Sequence, residues 1–168
     1  MEDRYGTIDG FMVYVTARGY DLPATDPEDI GNALVVASDW IDGKYGAEFR
    51  ASGTLKTGGR AQVLEWPRIG FMDAYGYAIP SDTVPREIEK ATYEAAYRQL
   101  IKPGTLFTDY VGSKAYKQVH IEGAISVTYA GGASAQNAQI VIPLIGHYLA
   151  ALIGGQTGTT SVTGYASR

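Results

Sequence analysis

Apolar residues recur at helical spacing in four stretches of the chain and at strand spacing in one, separated by polar and glycine-rich intervals. The most regular stretch runs from Val84 to Leu100. There Val84, Ile88, Ala91 and Ala95 share one stripe, and Tyr93, Ala96, Tyr97 and Leu100 form a second beside it. A helix apolar on two sides needs packing neighbours on two sides. Pro80 and Pro85 bracket a turn in which Ser81, Asp82 and Thr83 are all good caps; Pro85 fits a first helical turn, and Pro103-Gly104 stops the helix. The alanines at 91, 95 and 96 admit close neighbours, which predicts the central helix of a small bundle.

A first helix is predicted after the cap Thr7, with Ile8, Phe11, Met12 and Val15 on its apolar stripe and Gly19 at its end. Gly10 inside it costs about 1 kcal/mol relative to alanine. The second helix opens at Asp26-Pro27, with Glu28 and Asp29 in the turn where unsatisfied N–H groups favour negative charge. Ile30, Leu34, Ala37 and Ile41 form its stripe, Ala33, Val36 and Trp40 widen it, and Lys44 before Gly46 closes it. Residues 45–63 then read as a long loop with a basic bias from Arg50, Lys56 and Arg60; such length is a hint of function. Between Val119 and Tyr129 apolar and polar residues alternate, which predicts a β-hairpin over 117–129. A three-residue loop at Glu122–Ala124 would pair Ile121 with Ile125 and Val119 with Val127 on one face. A last helix is expected from about Pro143, burying Ile145, Tyr148, Leu149 and Leu152 before Gly154-Gly155. The expected fold is therefore mainly α, a bundle of about four helices with one hairpin, as a domain over 1–153 followed by an extended tail over 154–168.

Composition narrows the function. A chain of 168 residues is one domain with a real core. It has no cysteine, so disulfides and thiolate metal sites are excluded. The net charge of -4 argues against DNA as the main partner, because phosphate neutralisation dominates such binding. Met1-Glu2-Asp3-Arg4 carries no secretory pattern, and the apolar run 140–153, broken by Pro143 and His147, falls short of the span of about 20 residues a membrane requires; a soluble, intracellular protein is expected. Thirteen tyrosines against four phenylalanines and two tryptophans suit surfaces that are apolar on one side and wet on the other.

No chemistry announces itself. His120 and His147 stand without a metal-binding motif; the first is expected to face solvent and the second to lie beside the core face of the last helix. The glycine-rich pieces lack a phosphate-loop order, and there is no nucleophile elbow. The carboxylate pairs Asp26 with Asp29, Asp39 with Asp42, and Glu87 with Glu94 are assigned to caps and solvated faces. No catalytic residue, cofactor or metal is therefore expected. Residues 156–168 have little apolar content, and the tail residues Thr159, Thr160, Val162, Tyr165 and Arg168 are the candidates for gripping a partner, by strand addition to a sheet edge.

Trp40-Ile41-Asp42-Gly43-Lys44-Tyr45, then Ala61 to Arg68 with Leu64-Glu65-Trp66-Pro67-Arg68, then Ile79-Pro80-Ser81-Asp82-Thr83-Val84-Pro85 leading into Ala91 to Ala96, resemble a family of small proteins of tailed bacteriophages. These are the head-tail connector or adaptor proteins, also labelled DnaT-like single-stranded DNA-binding proteins. The resemblance is specific between residues 39 and 100. It implies a structural protein of the virion neck, made in the host cytoplasm, that forms a homo-oligomeric ring of about twelve copies. Such a ring docks on the portal protein, reaches a stopper or tail-terminator protein through its tail, and passes double-stranded DNA without sequence-specific contact. Within the shared motif Trp40, Trp66, Pro67, Arg68, Pro80 and Pro85 are read as structural: Trp66 covers the bundle, Pro67 sets the chain direction, and Arg68 pairs with a helix end or a carboxylate. The alternative is a single-stranded nucleic-acid binder that uses Arg50, Lys56 and Arg60 with tyrosine stacking. A third reading, an enzyme, finds no residues to name.

Overall fold

The computed structural model describes residues 3–107 and 142–153. These form four helices and one two-stranded antiparallel sheet: α1 (Ile8–Ala17), α2 (Pro27–Ala51), β1 (Leu55–Lys56), a 3-10 turn (Gly59–Ala61), β2 (Arg68–Ile69), α3 (Arg86–Ile101) and α4 (Pro143–Ile153). α3 packs against α1, α2 and α4. Its alanines at 91, 95 and 96 are fully buried, which lets the neighbouring backbones approach as the two-stripe pattern requires. Pro85 stands just outside the helix, in an extended conformation at the N-cap, so its ring ends the preceding turn.

α1 starts as expected, with the Thr7 hydroxyl accepting from the Gly10 amide at 3.0 Å. Gly10, unfavourable as a helix former, is explained by packing: a Cβ there would collide with the Tyr93 hydroxyl. The helix face is rotated from the expected stripe. Tyr14 joins Phe11 and Val15 in the core, while Met12 is 42% exposed. In α4, Ile145, Leu149 and Leu152 are buried, Tyr148 is half-buried, and His147 is exposed rather than set against the core.

The loop expected at 45–63 is the main correction. α2 runs on through Gly43 and Gly46 to Ala51, because the Ile41 stripe continues one turn at a time into Tyr45 and Phe49, 8% and 0% exposed. Two glycines do not stop a helix whose next two turns still have a core to bury. Gly46 faces a crowded flank, where a Cβ would lie 3.0 Å from Arg50 Nη1 and 3.4 Å from Glu65 Cγ. Beyond α2 the chain forms the small sheet, with Leu55 opposite Ile69 and Lys56 opposite Arg68. The hairpin expected over 117–129 and the tail over 154–168, with Thr159, Thr160, Val162, Tyr165 and Arg168, lie outside the described residues. No helix among the described residues is long and apolar enough to cross a membrane.

Continuity of α2 is testable with two substitutions. Gly43→Ala, with open space around the new methyl, is expected to stabilise the protein by about 0.5 to 1 kcal/mol. Gly46→Ala gains the same helix propensity but displaces the Arg50 guanidinium, so its benefit is smaller or absent. Urea melts that rank the two in the opposite order would rule out a continuous helix through this stretch.

Candidate functional site

The segment between α2 and α3 has almost no regular secondary structure, and side chains hold it in place. Asp42 on α2 accepts from the Tyr5 hydroxyl at 2.7 Å and from the Glu65 amide at 2.8 Å. The Tyr5 hydroxyl accepts in turn from the Trp66 amide at 3.0 Å, and the Tyr5 amide donates to Ser38 Oγ at 2.9 Å. Three remote pieces of chain thus meet at one tyrosine. The Trp66 ring is 1% exposed and packs at 4.6 Å between centroids on Phe71 and 5.7 Å on Phe49. The Trp66–Pro67 peptide is cis.

Glu65 is the second anchor. Its Oε2 accepts from Arg68 Nη1 at 2.7 Å; its Oε1 accepts from Arg50 Nη1 at 2.7 Å and lies 3.6 Å from Lys56 Nζ. Arg68 is 2% exposed and uses the rest of its fork on the Thr54 hydroxyl, the Thr54 carbonyl and the Glu65 carbonyl. One buried carboxylate therefore collects cations from α2, β1 and β2. Gln62 closes the intervening turn, donating to the Leu64 and Pro67 carbonyls and accepting from the Gly58 amide.

A tight turn projects from this base. Asp73 Oδ1 accepts from the amides of Tyr75 and Tyr77 at 2.9 and 2.8 Å, the Asp73 amide donates to the Tyr77 carbonyl, and Gly76 takes a φ of 86°. That φ suits glycine, which has no Cβ to clash. A bridge between Met72 and Ala78 and a bond from the Ala74 amide to the Ala151 carbonyl of α4 fix the turn to the bundle. The two tyrosines are left 78% and 72% exposed. Leu55, Ile69 and Met72 are also exposed, Leu55 and Ile69 as a cross-strand pair and so on one face. Over residues 50–72 the chain carries Arg50, Lys56, Arg60 and Arg68 against the single acid Glu65. In an acidic protein this face is locally basic.

The basic residues of the sequence reading are thus brought together in part. Arg50 and Lys56 share Glu65, and Arg60 is exposed on the 3-10 turn. Of the shared motif, Trp40 and Trp66 are in the core, Arg68 pairs with a carboxylate, Pro85 is buried, and Pro80 accepts from the Thr83 amide in an exposed turn. Tyr75, Tyr77 and Asp73 were missed, although Asp-x-x-Gly is a turn signal that would have placed both rings at a tip. A second buried carboxylate, Glu94, was assigned to a solvated face. It is 1% exposed and accepts from Tyr14 at 2.9 Å, Tyr20 at 3.2 Å and both Nε and Nη2 of Arg98. Arg18 lies 3.6 Å over the Tyr14 ring and donates to the Tyr148 hydroxyl at 2.6 Å. This centre ties α1, α3 and α4 together. Among the described residues no cluster of histidine and carboxylate groups could hold a metal ion.

The family model described as "Putative DnaT-like ssDNA binding protein" matches residues 2–166. No curated protein and no solved structure matches the chain. The family match overturns the expectation of a head-tail connector that docks on a portal in a virion neck, and supports the alternative, a single-stranded DNA-binding protein, instead.

Two outcomes test the Tyr5 and Asp42 contacts. Tyr5→Phe strands a buried acceptor and a buried amide, and is expected to lower unfolding free energy by about 2 kcal/mol. Burial pushes the Asp42 carboxyl up to about 6, against the pull of its two hydrogen bonds. The folded state then holds a proton that the unfolded chain has already released above pH about 4. The stability from this proton is complete below about pH 4 and is lost as pH rises through about 6, on the order of 3 kcal/mol in all. Asp42→Asn should flatten that slope in urea melts from pH 4 to 7; parallel curves for the two proteins would show that Asp42 does not titrate there.

Proposed function

The chain belongs to the family of DnaT-like ssDNA-binding proteins, and from that premise we propose that it binds single-stranded DNA on the face built by residues 50–78. The observation that carries this reading is the pair Tyr75 and Tyr77, held three-quarters exposed on a turn whose backbone is pinned by Asp73. Two rings in water are unfavourable surface for a monomer, and a base stacked on such a ring contributes about 1 to 3 kcal/mol whatever its identity. Because the turn is already fixed, little entropy is lost when a strand lands on it.

The cations give the backbone its complement. Arg60 is exposed, and Arg50 keeps 57% of its side chain in water while one nitrogen holds Glu65. The negative total charge of the chain keeps the rest of the surface from attracting nucleic acid, which confines binding to this face. The activity is binding, with no catalytic step required of any residue.

A fluorescently labelled oligo(dT) read by anisotropy tests this. Binding is expected with a log–log salt slope of about -2, as neutralising about three phosphates of a single strand gives. Tyr75→Ala with Tyr77→Ala should weaken it at least tenfold without moving the melting temperature, since both rings are exposed. Absence of binding by the wild-type protein at low salt, or full binding by the double variant, would overturn the assignment.

A further inference from the structure

A cavity of about 320 Å³ is lined by the chain near Tyr5, the turn from Thr57 to Leu64, the Trp66-Pro67 step and Val84. Its volume is at the lower end of what small ligands occupy, room for one flat ring and part of a sugar. Tyr5, Val63, Leu64, Trp66, Pro67 and Val84 make its apolar walls. Asp3 and Arg4 bring one charge of each sign to its margin.

We propose that this cavity takes one unstacked nucleobase of the bound strand, and the proposal rests on the single-stranded DNA reading above. The charge around it favours a nucleic acid over an apolar protein segment. The turn that forms one wall, between Gly58 and Gln62, carries the exposed Arg60, while the Lys56 ammonium before it is bonded to the Gln62 and Val63 carbonyls. A base inserted here leaves its flanking phosphates outside, near Arg60, whereas an apolar peptide gains nothing from that charge. The cavity also belongs to the same insert as the two tyrosines, because the Thr57 hydroxyl is bonded to the Ser81 carbonyl just beyond their turn.

The walls accept a base by shape and not by identity. Trp66 Nε1 is sealed from solvent without an acceptor, so it faces no ligand. The Gln62 amide is committed to Leu64, Pro67 and Gly58, and the Thr57 hydroxyl to Ser81. With the polar groups of Gln62 and Thr57 committed, the apolar walls discriminate weakly among bases. Thymine and adenine should therefore enter with similar affinity.

Methyl and indole NMR spectra of the full chain, titrated with oligo(dT), oligo(dA) and an abasic strand of the same length, locate the base. The expected result is movement of the Val63 and Val84 methyls and the Trp66 indole with both base-bearing strands and not with the abasic one. Val63→Phe, which places a ring at the 62% exposed rim position, should weaken oligo(dT) at least fivefold while the Tyr75 and Tyr77 signals still respond. If the wild-type protein binds oligo(dT) and these cavity signals stay still, the cavity proposal fails and the stacking face stands. If it binds no strand at all, both fall. Movement of the same signals with protein concentration alone would make the cavity a protein contact and overturn the proposal; the wild-type titration decides even where Val63→Phe does not fold.

Discussion

The carboxylate of Glu65 is what the segment between α2 and α3 is assembled on. The sheet there is two residues long on each side, too short to persist through its own backbone bonds. Arg68 would be a charge buried without compensation if Glu65 were absent, and removing one partner of a buried pair costs about 3 to 5 kcal/mol. With the pair in place, Arg68 turns its guanidinium inward, reaching the Glu65 carboxylate and the Thr54 hydroxyl and carbonyl. β1 is thereby held to β2 by a side chain as much as by the ladder. Such an ion pair is a poor source of net stability, since both groups must be desolvated. Its use here is geometric.

The same carboxylate sets the sign of the surface. Three cations converge on one negative group, so the inner one, Arg68, is neutralised and the outer ones are only partly so. Positive charge is carried to the outside of a face whose interior is balanced. The Tyr5, Asp42 and Trp66 bonds do the complementary task of locking that face to α2 and to the N-terminal segment. A platform tied down at both levels can present exposed aromatic rings without collapsing onto them.

The helices were legible because their information is local: Thr7, Asp26-Pro27 and Pro103-Gly104 mark boundaries, and the stripes on α3 and α4 name the buried residues. Where glycine was read as a stop the extent of α2 was misjudged: the stripe through Ile41, Tyr45 and Phe49 runs on past both glycines, and Phe49 packs on Trp66. The insert was illegible for another reason. Its order depends on Tyr5 meeting Trp66 and Asp42 meeting Glu65, pairs 61 and 23 residues apart, and neither leaves a period in the sequence. For Arg68 the sequence left two partners open, a helix end or a carboxylate, and the structure gives it the Glu65 carboxylate. The connector reading failed at a different level: the motif residues 39–100 that carried it turn out to be largely this buried scaffold, and a scaffold identifies a family without saying what its surface meets.

Comparison of the two buried carboxylates explains why the proposed binding face lies at Glu65 and not at Glu94. Glu94 is surrounded by Tyr14, Tyr20 and Arg98, and its tyrosines have their hydroxyls turned inward, the burial and the nearby Glu94 charge holding Tyr14 far above its ordinary range for ionisation. Tyr20 also stacks on Tyr97 at 4.5 Å between centroids. These aromatic faces are already occupied, so that centre has nothing left for a ligand. Around Glu65 the order is reversed: the polar groups are satisfied inside, and the rings of Tyr75 and Tyr77 remain outside with no aromatic partner among the described ring contacts. Tyrosine count alone could not separate the two cases. What separates them is whether the ring face or the hydroxyl is left over once the fold has formed, and stacking requires the face.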